Sequence, residues 1–258
     1  MQVSLAAEVE RAIVQVDFHH ISKAYWEQHE CVALDQFLPP AVVECALLPE
    51  VERLRPYIHR NYIPKHKKGG SISYYALAEK APIFVALYHS PAFIDFLTRL
   101  VNARVMPCPE TDPHACALYF YTEPGDHIGF HYDTSYYRGA RYTVLMGLVQ
   151  RSEHCRLVCQ LYRNDPEREP QDLSLATAPG SLMIFNGDKL WHAVTPLARG
   201  EERIMLTMEY VTNPEMGRCK RFLSTCKDAI AYFGFSAVLG GGRFRRGLPR
   251  AERLRTLS

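Results

Sequence analysis

The second half of this chain reads as a succession of short β-prone runs closed off by turn residues, and that rhythm constrains the fold more than any other feature. From Arg104 onward come CALYFYTE, HIGFHYD, RYTVLMGLV, RLVCQLYR, DLSLATA, GSLMIFNG and RIMLTMEYV, separated by turns such as Glu123-Pro124-Gly125 and Ala178-Pro179-Gly180. Regularly spaced short strands predict a sandwich or jelly roll rather than alternating βαβ units. The first hundred residues differ. Residues 39–57 open on proline and space apolar side chains at helical intervals, predicting one helix or a pair of short ones. Residues 58–76 carry a basic cluster followed by Gly69-Gly70 and read as a loop, and residues 78–103 predict two helical segments broken at Pro91. The expectation is a mainly β fold with flanking helices in a single domain, 1–258. Within it, 1–103 is mostly helical, 104–213 is the β core, 214–240 a C-terminal helix, and 241–258 a basic, flexible tail.

Composition removes several classes. The chain has 258 residues and nearly balanced charge, 30 basic against 28 acidic, which excludes acidic tracts and long disordered polar stretches. No apolar run approaches the roughly 20 residues that span a bilayer. The opening residues are interrupted by Glu8, Glu10 and Arg11, so they lack a signal-peptide core, and a soluble cytoplasmic protein is expected. The eight cysteines include no C-x-x-C pair and read as reduced, mostly buried thiols. Near-neutral charge makes nucleic acid an unfavoured partner; the six arginines of the tail against the lone acid Glu252 are read as a solvated segment, with a phosphate- or partner-binding arm as the alternative. Oligomeric state is not readable.

Chemistry concentrates between residues 119 and 209. His131 and Asp133 are two apart, so on a strand both point to one face and reach one metal ion. An H-x-D match alone is common by chance. His192 lies just past a turn and an apolar run, placed as a third ligand arriving from a neighbouring strand. Arg203 heads an otherwise apolar strand, and burying its guanidinium calls for a counter-charge, best a bidentate carboxylate. Two histidines and one carboxylate on one metal face, with a carboxylate-binding arginine nearby, describe a non-haem Fe(II) site with a dicarboxylate co-substrate.

Over roughly residues 104–211 the pattern H-x-D…H…R resembles the Fe(II)/2-oxoglutarate-dependent oxygenases, and in particular their prolyl-hydroxylase-like branch. The resemblance implies a double-stranded β-helix, a jelly-roll or cupin-like core. It implies that His131, Asp133 and His192 are the catalytic iron ligands and that Arg203 binds the distal carboxylate of 2-oxoglutarate, with Tyr121 and Thr207 supporting the co-substrate. Fe(II), 2-oxoglutarate and O2 are the implied cofactor and co-substrates. The segments 121–149 and 209–235 are similar to a bacterial branch that hydroxylates or halogenates free amino acids. Halogenases of that kind place a small residue at the carboxylate position; Asp133 therefore favours hydroxylation, of a small molecule such as an amino acid or derivative.

Around the metal, Glu209 sits six residues beyond Arg203, where an inward acid would repel a phosphodiester and favour an ammonium; the plainer reading is an outward or satisfied acid. His127 shares strand alternation with His131, and Tyr119 with Tyr121, so both are candidate substrate contacts. Tyr136 and Tyr137 suit either a lid or core packing, and Trp191 should turn away from the metal into packing. Lys65, Lys67 and Lys68 read as a solvated loop, with closure over a substrate carboxylate as the alternative, and Arg141 reads as structural. Competing readings are the same chemistry on a protein or nucleic acid, and a non-oxygenase metal- or ligand-binding module of cupin type, in which zinc would leave Arg203 without a role.

Overall fold

The computed structural model describes residues 4–133 and 135–216. Cys219, Cys226, the helix expected over 214–240 from residue 217 on, and the basic tail lie outside the described residues.

Among the described residues twelve strands form one antiparallel sheet: β1 (Cys31–Leu34), β2 (His59–Ile63), β3 (Lys67–Ile72), β4 (Met106–Pro107), β5 (Cys116–Tyr121), β6 (His127–His131), β7 (Arg141–Arg151), β8 (Leu157–Leu161), β9 (Gln171–Leu175), β10 (Leu182–Asn186), β11 (Trp191–Val194) and β12 (Glu202–Val211). The order is β1-β10-β7-β12-β5-β3-β6-β11-β8-β9, with β2 and β4 paired onto β3 and β12. Consecutive strands are mostly not neighbours, and the sheet curls so that β5, β7 and β12 face β6, β8 and β11 across a cavity, as in a jelly roll.

Period-two alternation on the long central strands explains how one sheet serves a core and a site at once. On β12, Ile204, Leu206, Met208 and Tyr210 turn outward into the larger apolar core, whereas Arg203, Met205, Thr207 and Glu209 line the cavity. On β7, Val144, Met146 and Leu148 face the same core, and Arg141, Thr143 and Leu145 the cavity. A smaller apolar cluster, including Leu157, Phe185, Leu190 and Leu197, packs inside the curl.

Helices cover the outer face. They are α1 (Leu5–Gln15), α2 (Phe18–Glu27), α3 (Pro40–Val42), a π-turn at Val43–Leu47, α4 (Leu48–Leu54), a 3₁₀ turn at Arg55–Tyr57, α5 (Tyr74–Lys80), α6 (Pro82–Tyr88) and α7 (Pro91–Leu100). Asp17 caps α2 by accepting from the His20 amide; Ser90 does the same for α7 from the Phe93 amide, with Pro91 at its first position. The helical layer bonds directly to the strand that carries the site. Tyr88 Oη donates to the Glu209 carbonyl at 2.8 Å and accepts from the Cys108 amide at 2.6 Å, while Tyr210 Oη donates to the Tyr88 carbonyl at 2.8 Å.

The loop expected over 58–76 is instead a hairpin, and its second strand, β3, is inserted between β5 and β6. The glycines that suggested a loop mark a close approach: a Cβ on Gly70 would stand 2.5 Å from Ile58 Cγ2 and 3.2 Å from Phe120 Cβ. Lys67 is correspondingly buried, not solvated, with Nζ 5.0 Å from the centroid of the Tyr119 ring. The cysteines among the described residues are free thiols, all buried but Cys45. No described helix is long and apolar enough to cross a membrane.

Candidate active site

The two histidines meet because β6 and β11 are antiparallel neighbours in which His131 is paired directly with His192; their ring centroids lie 4.3 Å apart. His131 Nδ1 is 2.8 Å from the Gly129 carbonyl oxygen, and His192 Nδ1 is 3.0 Å from that of Leu190. A carbonyl only accepts, so each Nδ1 carries the proton and each Nε2 presents its lone pair. Both lone pairs converge on Asp133: His131 Nε2 is 3.5 Å from Oδ1, and His192 Nε2 is 3.7 Å from Oδ2. The ligand atoms of the three residues all lie within 4.8 Å of one another, so the trio could hold a metal ion.

Asp133 stands just past the end of β6 and is fixed from several sides. Its amide donates to the Gly187 carbonyl at 2.9 Å, and its Oδ2 accepts from Thr143 Oγ1 at 2.7 Å. Gly187 is required there, because a Cβ would come within 2.8 Å of Asp133 Cβ. Burial alone would raise the Asp133 carboxyl, but its closeness to His192, His131 and Arg141 outweighs this and holds it far below the usual carboxylate range. Burial conversely lowers His192, against the attraction of Asp133, which favours the neutral ring that a metal needs.

A cavity extends from this trio toward both ends of β12. At one end Arg203 is 1 % exposed, donates from Nε to Thr177 Oγ1 at 3.0 Å and lies with its guanidinium carbon 5.1 Å from the centroid of the Tyr121 ring. Among the described residues no carboxylate pairs with it. A buried cation facing a cavity with no protein counter-ion is costly by itself and suits an incoming carboxylate. Tyr121 and Thr207 line the same cavity, with Ile128, Leu145, Leu157, Val194 and Met205 as its apolar walls. The other end is polar. Arg141 Nε donates to Glu209 Oε2 at 2.9 Å, which also lies 2.9 Å from Thr143 Oγ1. Tyr137 Oη donates to Asp112 Oδ2 at 2.7 Å, and Tyr119 Oη lies 2.9 Å from His114 Nδ1. Burial pushes the Glu209 carboxyl up to about 7, with Arg141 opposing and Asp133 adding to the rise.

Two sequence expectations change. His127 is not among the cavity's lining residues; its Nδ1 meets the Gly125 carbonyl oxygen at 2.8 Å. Strand alternation misplaced it because the β6–β11 register slips: His131 faces His192, but Ile128, not Gly129, faces Val194, so Ile128 takes the inward position. Arg141, read as structural, lines the cavity, and Glu209 points inward already held by that arginine. Tyr119, Tyr136 and Tyr137 also line it, while Trp191 stacks on Phe130 with ring centroids 5.9 Å apart. Thr143, Thr177, Asp112 and His114 were not anticipated. Thr143 sits two residues from Arg141 on one strand face, a signal that becomes usable only once the register against β12 is known.

A family model described as Halogenase D matches residues 14–140, a little under half of the chain. No curated protein matches the chain in sequence. Solved structures share its fold at low identity. The epimerase SnoN from nogalamycin biosynthesis, in complex with Fe3+, alpha-ketoglutarate and nogalamycin RO, is 12% identical with a TM-score of 0.62, covering 75% of this chain and 83% of that one. A Pseudomonas putida prolyl-4-hydroxylase is 17% identical with a TM-score of 0.54, covering 75% and 97%. An oxidoreductase of the 2OG-Fe(II) oxygenase family from Burkholderia pseudomallei is 16% identical with a TM-score of 0.59, covering 79% and 95%. The fold is that of the 2-oxoglutarate–Fe(II) oxygenases.

Proposed function

We propose that the chain is an Fe(II)- and 2-oxoglutarate-dependent dioxygenase of the cytoplasm that hydroxylates an unactivated C–H bond of a small molecule, an amino acid or derivative. The observation that carries this reading is the pairing, in one cavity, of the His131–Asp133–His192 trio with a buried Arg203 that has no carboxylate partner among the described residues. A zinc-binding or cupin-type binding module would use the first and leave the second without a purpose.

The residues present fit the iron. His131 and His192 would each offer Nε2, fixed by their Nδ1 contacts, and Asp133 a carboxylate held by Thr143, with its backbone amide tied to the Gly187 carbonyl. Bound there with 2-oxoglutarate and O2, iron supplies the oxidising power: one oxygen atom enters the C–H bond and the other enters succinate, with release of CO2. Arg203 holds the distal carboxylate of the co-substrate, Thr207 and Tyr121 flank it, and the apolar wall of Leu145, Leu157 and Val194 keeps water from the reacting end. Tyr119 and Glu209 contribute to the acceptor's side of the cavity.

Asp133 decides between oxidations. The family model that matches residues 14–140 is described as a halogenase, but a carboxylate here occupies the place a halide would need, so hydroxylation is the outcome. The test is a product screen by mass spectrometry: iron-loaded protein with 2-oxoglutarate, offered amino-acid, peptide and oligonucleotide pools, with and without chloride. Gain of one oxygen in an amino-acid product supports the reading. A dominant chlorinated product, or oxidation confined to peptides or nucleic acid, contradicts it.

A further inference from the structure

Among the described residues lining the cavity, Arg141 is a second arginine besides Arg203, and the co-substrate's role leaves it unused. It opens β7, directly opposite Val211 on β12, and its neighbour on the same face, Thr143, lies opposite Glu209. Glu209 is six residues along β12 from Arg203, roughly 20 Å at strand rise, so the two arginines mark opposite ends of one cavity. Arg141 spends only Nε on Glu209; among the described residues Nη1 and Nη2 have no hydrogen-bond partner, and neither does Glu209 Oε1. The fork edge of Arg141 and the second oxygen of Glu209 are thus held in place by each other and offered to the cavity.

Resting on the oxygenase reading above, we infer that Arg141 anchors a carboxylate of the acceptor substrate through its two terminal nitrogens, while Glu209 Oε1 receives a neighbouring ammonium. Charge at this end of the cavity selects a zwitterion. Arg141 is accompanied by Glu209 and Asp112, so a purely anionic ligand such as a phosphate would add a third negative group beside one cation. A ligand bearing both charges leaves neither Arg141 nor Glu209 facing an uncompensated partner. The same chain of bonds sets the distance to the metal ligands: Arg141 meets Glu209, Glu209 meets Thr143, and Thr143 meets Asp133, each within 2.9 Å. A carboxylate fixed on Arg141 therefore leaves the side-chain carbons of an amino acid beside the trio. Arg141 selects which C–H bond is presented; it is a specificity-determining contact, separate from the co-substrate's arginine.

The test uses anaerobic, iron-loaded protein with 2-oxoglutarate, titrated with the twenty free amino acids, and then with the carboxamide and the decarboxylated amine of the best binder. The expected result is a loss of roughly 30-fold or more in affinity for both analogues, matching removal of a bidentate charge-assisted pair. Arg141→Lys keeps the charge beside Glu209 but loses the fork; it should weaken the free acid by at least 10-fold, leave the carboxamide unchanged, and leave 2-oxoglutarate affinity unchanged. Equal binding of acid and carboxamide by the unaltered protein overturns the assignment, as does binding of no amino acid at all while 2-oxoglutarate still binds. Absence of 2-oxoglutarate binding strikes instead at the oxygenase reading.

Discussion

At the scale of single residues, the site works by giving each polar group one job and denying it alternatives. Arg203 is the clearest case. Its Nε is held by Thr177 and its guanidinium carbon lies 5.1 Å from the centroid of the Tyr121 ring, so the remaining fork is aimed before a ligand arrives. Arg203→Gln should weaken 2-oxoglutarate binding roughly 100-fold, the worth of two charge-assisted bonds, with metal binding retained; isothermal titration of the metal-loaded protein measures it, and an unchanged affinity would place the co-substrate elsewhere. Gly187 acts by being small. A methyl group there would collide with Asp133 Cβ, so Gly187→Ala should lower ferrous-iron affinity on the order of 10-fold or more while circular dichroism stays native. Metal affinity equal to that of the unaltered protein would mean that Asp133 is not a ligand.

At the scale of elements, the turn between β5 and β6 aims the strand that delivers His131. Asp126, fully buried in that turn, accepts from the Thr122 and Glu123 amides at 2.9 and 3.0 Å and pairs with both terminal nitrogens of Arg60 at 2.8 and 2.6 Å. Burial would raise its pKa, but the Arg60 and amide bonds win and lower it. A carboxyl depressed by folding adds stability above its unfolded value, near 3.9, and that contribution disappears as pH falls through the depressed folded value. Asp126→Asn should therefore cost about 2–4 kcal/mol at pH 7 in urea unfolding, with the gap from the unaltered protein closing below about pH 4. A gap independent of pH would mean that the ion pair is not its source.

The elements also show what could be read from the sequence and what could not. The seven β-prone runs became strands, and His131, Asp133 and His192 were legible because strand periodicity and residue chemistry coincide there. Arg141, Thr143 and Glu209 were not assembled, since their meeting depends on the β7–β12 register. His127 was misplaced by a one-residue register slip, and β3 was missed because two glycines that let strands approach closely look, in sequence, like a turn. Periodicity reports which face a side chain takes; it does not report irregular register or which strands become neighbours.

At the scale of the whole molecule, the helices and the curled sheet should behave as one unit, because β12 contributes alternate residues to the helix-facing core and to the cavity. Phe93 and Phe96 on α7 and Phe37 form the aromatic centre of that core, with ring centroids 5.8 to 6.2 Å apart. The chain carries two tryptophans, Trp26 on α2 and Trp191 on β11, one in each part. Unfolding followed in Trp26→Phe and Trp191→Phe variants should give one shared midpoint, and Phe96→Ala should lower the unfolding free energy read by either tryptophan by about 3–5 kcal/mol. Two separated midpoints would divide the chain into independent domains.

If the trio and Arg203 form one oxidising site, the protein should form succinate from 2-oxoglutarate under air with added Fe(II). That succinate should require both iron and O2, disappear in His131→Ala, and fall steeply in Arg203→Gln at low 2-oxoglutarate. Succinate formation that persists in His131→Ala, or no succinate from the unaltered protein supplied with Fe(II), 2-oxoglutarate and O2, would contradict it.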